Sequence, residues 1–322
     1  MNHPNIITIY EVYQQDLKTY VVQDLCKGGE LFEKIVEAKT FTENTAAYIM
    51  KQVLSGVYYC HTQKVVHRDL KPENILFTKN DILSPIKIVD FGTAVPFYEK
   101  HKMSQCVGSS IYMAPEVIKK SYTEKCDSWS CGVITYVLLC GYAPFEGDNT
   151  KETFALIKKG KYELSGNIWD DVSEAAKNFI RKMLEMNPAK RYSADQALAD
   201  PWIRKAKAFH TESKQIPAKV ISNLKTYRAT KKLQRAIWEY IVSYIATSEE
   251  KNKLIAVFKQ LDANNDGFIS KEELLANTRS LEDIAISDGD QEALFDSLDA
   301  NQDGKVQWSE FLQGSLSRFA LL

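Results

Sequence analysis

His67-Arg68-Asp69-Leu70-Lys71-Pro72-Glu73-Asn74 puts a carboxylate, an ammonium and a carboxamide on one short stretch. Pro72 fixes one backbone angle and removes one donor, so the stretch reads as a stiffened loop. Val65-Val66 leads in and Ile75-Leu76-Phe77 leads out. Those apolar flanks predict a loop clamped between two short buried strands.

Two further motifs stand downstream. Ile86-Lys87-Ile88-Val89 runs into Asp90-Phe91-Gly92, and Ala114-Pro115-Glu116 follows. For a lone aspartate, turn and capping chemistry is the simpler explanation. Three motifs in this order and spacing resemble a protein kinase, and Lys71 makes the loop more similar to serine/threonine than to tyrosine kinases. The fold this implies is α+β: a protein-kinase-like body with a mostly helical C-terminal lobe and a remnant of N-terminal strands.

The resemblance also implies roles. Asp69 would accept the proton of a substrate hydroxyl and orient it, and Lys71 would neutralise charge on the phosphoryl group in transfer. Asn74 and Asp90 would give oxygens to the Mg2+ that accompanies ATP. Asp24 to Lys27 would form the hinge whose backbone takes adenine, with Asp24 and Cys26 as cofactor-binding positions. Glu30 and Glu73 complete the nucleotide and substrate set. Glu30 admits two readings: a partner for ribose or a substrate arginine, or an acid favoured by a helix N-terminus. Thr93 to Ser110 would be the activation segment, and Arg68 would pair with an anion on it where one is present. Glu116 is expected to form a buried pair with Arg191, and Asp127 to bond the backbone of the loop from below. Residues 1–203 are thus read as the kinase domain, closed by Pro201-Trp202-Ile203.

Elsewhere in that stretch, Ile6 to Tyr13 reads as a strand and Thr19 to Asp24 as its hairpin partner. Thr42 to Thr62 carries Ala46, Ile49, Met50, Val53, Leu54 and Val57 at helical spacing. Val133 to Cys140 is apolar but too short to span a bilayer, so it reads as a buried helix. The formal net charge of -1 argues against a nucleic-acid surface spread over the chain. The six cysteines include no Cys-x-x-Cys pair, which fits reduced thiols in a cytoplasmic protein.

Residues 204–246 change character. Lys214, Lys219, Lys225, Arg228, Lys231, Lys232 and Arg235 precede an apolar stripe of Leu233, Ile237, Tyr240, Ile241, Tyr244 and Ile245. A basic amphipathic helix of this kind reads as a target for a calcium sensor. Residues 247–322 supply one. Asp262, Asn264, Asp266, the carbonyl of Phe268 and Glu273 fit a calcium loop, and Asp299, Asn301, Asp303, the carbonyl of Lys305 and Glu310 fit a second. Short oxygen side chains at alternate positions wrap the ion, Gly267 or Gly304 permits the turn, and the final Glu closes the shell. Ile269 and Val306 are expected to pair across the two loops, in an all-α EF-hand pair.

Kinase body, basic junction and EF-hands in this order resemble the calcium-dependent protein kinases of plants and protists. The resemblance implies a calcium-regulated kinase with ATP, Mg2+ and Ca2+ as cofactors. It also implies protein substrates bearing Ser/Thr near basic residues, and an intramolecular contact between the EF-hands and the junction helix. A glycine-rich loop, a third-strand Lys and the Glu of the next helix do not precede His3, so the chain reads as N-terminally truncated. The expectation is a protein that binds calcium but turns over ATP poorly. The alternative is a catalytically silent calcium sensor built on a kinase-like body.

Overall fold

The computed structural model describes residues 1–15, 18–37, 41–98, 101–207, 219–220, 223–224, 257–258, 260–263, 268–278, 295, 298, 304–307 and 311. Two units divide the chain, Met1–Ala229 and Thr230–Leu322.

The first unit opens with an antiparallel ribbon of β1 (Ile9–Gln15) and β2 (Lys18–Gln23), in which Val12 stands opposite Val21. Both valines are exposed, as are Ile9 and Val22. The expected strand begins three residues late because its first residues pair elsewhere. Ile6 forms a bridge with Ile88, and the Ile7 amide donates to the Ile88 carbonyl at 3.0 Å.

Two helices follow, α1 (Leu31–Glu37) and α2 (Glu43–Thr62). Thr42 caps α2 by accepting the Thr45 amide at 3.1 Å, and all six apolar residues of the expected face are buried. Short strands β3 (Val65–Val66), β4 (Ile75–Phe77), β5 (Ile86–Ile88) and β6 (Val95–Pro96) then form two small ribbons, β3 with β6 and β4 with β5. The loop 67–74 is therefore held between two buried strands, as its flanks predict, although the strands pair with others and not with each other.

The rest is helical: α3 (Pro115–Ile118), α4 (Lys125–Cys140), α5 (Thr150–Lys159), α6 (Glu174–Met183), α7 (Ala194–Ala199) and α8 (Pro201–Arg204). Every residue of α4 from Cys126 to Cys140 is buried, so this helix is the axis of the core. Glu116 and Arg191 meet beside it as expected. Two parallel bonds join guanidinium to carboxylate, that from Nη2 to Oε2 at 2.9 Å, and the guanidinium lies 5.0 Å from the Trp129 ring.

Helix α4 ends at Gly141, in the left-handed region at φ 85. A Cβ there would stand 2.6 Å from the Asn223 Cβ and 2.7 Å from the Val220 carbonyl, so only glycine fits. Asn223 Nδ2 donates to the Cys140 carbonyl at 3.2 Å, satisfying one orphan group of the helix end. Val220 and Leu224 are buried in the same core. Most of the expected junction, including Leu233 to Ile245, lies outside the described residues.

In the second unit, β7 (Phe268–Ser270) pairs antiparallel with β8 (Lys305–Gln307), and Ile269 faces Val306 as expected. Helix α9 (Lys271–Thr278) follows β7 directly. Phe258, Leu274, Phe295, Leu298 and Phe311 pack around the ribbon. Among the described residues, no helix is long and apolar enough to cross a membrane.

Candidate active site and calcium loops

The loop 67–74 is attached to α4. Asp127 is fully buried and accepts the amides of His67 and Arg68, each at 2.9 Å, while His61 Nε2 lies 2.9 Å from the same carboxyl. Burial alone would raise its pKa. His61 and the loop amides overcome that and hold it below the ordinary carboxylate value. Arg68 itself sits at φ 71, a strained conformation for a non-glycine residue. From the other side comes Gly108, at φ 108, where a Cβ would stand 2.4 Å from the Arg68 carbonyl oxygen. The close approach brings Ser109 onto Asp69.

Asp69 is held by both oxygens. The Ser109 amide and hydroxyl each donate to Oδ1 at 2.8 Å, and Lys71 Nζ donates to Oδ2 at 2.8 Å and to Ser109 Oγ at 3.2 Å. Burial pushes the Asp69 pKa up, but Lys71 and Ser109 outweigh it and the net shift is downward. The group is a carboxylate at neutral pH, fixed in direction and beside an ammonium.

Asn74 Nδ2 donates to the Asp69 carbonyl at 2.9 Å, which leaves Asn74 Oδ1 as an acceptor. The Val89 amide donates to the Asn74 carbonyl at 3.0 Å and so brings Asp90 alongside. Asp90 lies at φ 61 and accepts the Gly92 amide at 3.2 Å. One carboxamide oxygen and one carboxylate are donors suited to a hard divalent cation. Phe91 packs edge-on against the His67 ring with centroids 4.8 Å apart.

Arg68 is engaged by neutral groups. Arg68 Nε donates to the Thr93 carbonyl at 2.6 Å, and Nη1 donates to Gln105 Oε1 at 3.0 Å and to the Tyr122 hydroxyl at 3.2 Å. Among the described residues, these neutral groups take the place of a charged partner.

Glu73 is the odd acid of the loop. Its Oε2 is buried and, among the described residues, has no hydrogen-bond partner. Burial raises its pKa and outweighs its own backbone amide and Lys71, which lower it, while Glu30 and Asp69 add to the rise. A carboxylate with one buried oxygen unpartnered, beside a second acid, can receive a cationic side chain. Glu30 is brought near by a bridge to Leu76 on β4.

At the hinge, the amides of Lys27 and Gly28 are spent on Thr78 and Phe77, at 3.2 and 2.9 Å. The Asp24 amide is spent on the Thr8 carbonyl at 3.0 Å, so Asp24 can offer a ligand only its own carbonyl. Its carboxylate is engaged by Lys87, a contact that sequence reasoning missed. The available signal was a lysine in the middle of an apolar strand. Cys26 is half-buried, which pushes its thiol pKa up.

In the first calcium loop, Asp262 is buried, and Glu273 Oε2 accepts the Ser270 amide at 2.9 Å and hydroxyl at 2.7 Å. Phe268 and Lys305 lie at the outer ends of the paired strands, where their carbonyls belong to the loops. The Lys305 ammonium lies 4.9 Å from the Phe268 ring centroid. Asn264, Asp266, Asp299, Asn301, Asp303 and Glu310 lie outside the described residues.

Comparison with known proteins agrees with both halves. Residues 1–203 match the protein kinase domain, and residues 251–316 match the EF-hand domain pair. The chain belongs to the protein kinase family. It is 42% identical over 284 residues to calcium-dependent protein kinase 4 of Plasmodium berghei, covering 87% of this chain and 54% of that protein. It is 40% identical over 275 residues to calcium-dependent protein kinase 5 of Plasmodium falciparum, covering 85% of this chain and 48% of that one. The chain thus spans about half the length of the curated relatives it matches. The two domains imply ATP with a divalent metal in the first unit and Ca2+ in the second.

Proposed function

We propose that this chain is the working part of a calcium-regulated serine/threonine protein kinase of the cytoplasm. The observation that carries the reading is Asp69, an ionised carboxylate aimed by Ser109 and neutralised on one side by Lys71. Asp69 accepts the proton of a serine or threonine hydroxyl as the oxygen attacks, and Lys71 offsets charge on the phosphoryl group in transfer. Asn74 Oδ1 and the Asp90 carboxylate hold Mg2+. ATP supplies the phosphoryl group, with adenine against the Asp24 and Cys26 backbone. Glu73, joined by Glu30, receives a substrate arginine upstream of the acceptor residue. The six cysteines, with no Cys-x-x-Cys pair among them, suit a reducing compartment.

Calcium enters through the loops Asp262 to Glu273 and Asp299 to Glu310. Its binding leads the EF-hand pair to capture the junction beyond Leu224, which otherwise lies at the kinase cleft or its rim. Moving such a switch from mostly closed to mostly open requires about 5 kcal/mol of preference for the open state. The junction's seven basic residues from Lys214 to Arg235 support the cleft-bound position, and its apolar stripe supports the captured one.

The test is phosphate transfer to a serine peptide with an upstream arginine. It is run on the 322-residue chain and on that chain joined behind a relative's amino-terminal lobe. Calcium-stimulated transfer that disappears in Asp69→Asn is expected. Transfer in neither protein, or transfer that survives Asp69→Asn, overturns the reading. Hydrogen exchange across 225–244 that is the same with calcium and with chelator overturns the switch.

A further inference from the structure

Lys87 is the middle residue of β5, between the buried Ile86 and Ile88. Its ammonium lies 2.8 Å from Asp24 Oδ2 and donates to the Ile6 carbonyl at 3.1 Å. The two side chains are only 15% and 19% exposed, so solvent screens the pair weakly. Asp24 collects two more donors, the Tyr10 hydroxyl on Oδ1 at 2.6 Å and the Thr8 amide on Oδ2 at 3.0 Å. Lys87, Tyr10 and Thr8 together hold the Asp24 carboxyl well below the usual range, and it stays charged throughout the neutral region.

The topology gives this cluster a second meaning. Beyond Lys87 the strand passes through Ile88, which is bonded to Asn5 and Ile7, and Val89, which is bonded to Asn74, into Asp90. One lysine therefore ties the hinge to the strand that delivers Asp90. The carboxylate bonds to Lys87, Tyr10 and Thr8, with the bond from the Asp24 amide to the Thr8 carbonyl, fix the Asp24 Cα from which the carbonyl departs.

We propose that Lys87 is a positioning residue for the nucleotide: by holding Asp24 it fixes the place from which the Asp24 carbonyl departs and its distance from Asp90. The inference rests on the reading that Asp24 and Cys26 receive adenine. The lysine touches neither base nor phosphate. Its removal loosens the adenine edge and leaves Asp69, Lys71 and Asn74 in place.

The experiment measures adenosine binding to the full chain by calorimetry, with melting temperature followed in parallel. Lys87→Met, similar in length but uncharged, is expected to weaken adenosine binding about threefold to tenfold, the scale of one ordinary hydrogen bond, because the lysine acts on the base only through Asp24. Asp24→Asn should weaken it by a similar factor. The double variant should be no weaker than the worse single one, because both remove the same link. Lys87→Arg should restore binding to within about twofold, since a guanidinium also pairs with a carboxylate. A Lys87→Met protein that melts earlier but binds adenosine as well as the parent would make the lysine merely structural and overturn the proposal. So would additive losses in the double variant. If the parent binds no adenosine, the adenine reading fails and takes this inference with it. Binding by the parent that Lys87→Met leaves unchanged sinks the inference alone.

Discussion

The kinase unit and the EF-hand unit both place oxygen ligands for cations, but by opposite means. In the first, every ligand hangs from groups already bonded to one another. Asp127 holds the loop, Ser109 and Lys71 aim Asp69, and Val89 brings Asp90 to Asn74. Beneath them lie fully buried residues such as Trp129, Trp169 and Phe179. In the second, the described core is a small cluster around Ile269 and Val306. Each calcium loop contributes several carboxylates that repel one another until a cation joins them. The kinase site is organised by packing before its ligand arrives. For the EF-hand unit we infer that part of the organisation comes from the ion, because each loop sequence carries several carboxylates.

The largest effect separating the units should come from Arg191→Ala. Arg191 is fully buried, and its loss leaves Glu116 as an uncompensated interior charge. Such a break costs about 3–5 kcal/mol. Chemical denaturation should show it in the kinase transition, with calcium affinity by calorimetry unchanged. A parallel fall in calcium affinity would mean that the units do not stand apart.

Next in size is the metal-linked term. At calcium 100 to 1,000 times the dissociation constant, binding stabilises the folded form by about 2.7–4.1 kcal/mol. Glu273→Gln with Glu310→Gln should remove it and lower the EF-hand melting temperature alone. If the parent melts identically with calcium and with chelator, the contrast between the units collapses.

The smallest effect sharpens the comparison within the kinase unit. Burial raises the Glu73 pKa. A carboxyl shifted upward costs stability above its unfolded pKa, and the cost disappears as pH falls through that range. Glu73→Gln should therefore raise the melting temperature at pH 7 by a few degrees at most. The gain should vanish in acid, below the ordinary glutamate value of 4.5. The same variant should lose its preference for an upstream arginine. An unchanged melting temperature at pH 7 would show that the orphaned oxygen is better solvated than its surroundings suggest.

These contrasts also mark how far the sequence can be read. Asp69, Lys71, Asn74 and Asp90 were legible because their spacing along the chain is set by local geometry: one rigid loop and one strand end. The Glu116 and Arg191 pair and the Ile269 and Val306 register join residues far apart and were legible only through the motifs that carry them. Distant contacts outside any motif were not. Nothing local in Lys87 or Asp24 specifies their meeting, and nothing in Ser109 specifies that both its donors converge on one oxygen. The start of β1 was misplaced because Ile6 and Ile7 have the propensity of a strand, yet their partner is β5. Propensity reports that a residue will extend and is silent on what it will pair with. Arg68 was expected to seek an anion, and a phenol and two amide carbonyls serve instead.

The glycine at the end of α4 carries a mechanical consequence. The helix has 16 residues and is about 24 Å long. One end carries Asp127, which grips the amides of His67 and Arg68; the other ends at Cys140, whose carbonyl is gripped by Asn223. Wrapped in core on all sides, the helix is a strut. It sets a fixed span between Asn223 at one end and the loop that carries Asp69 at the other.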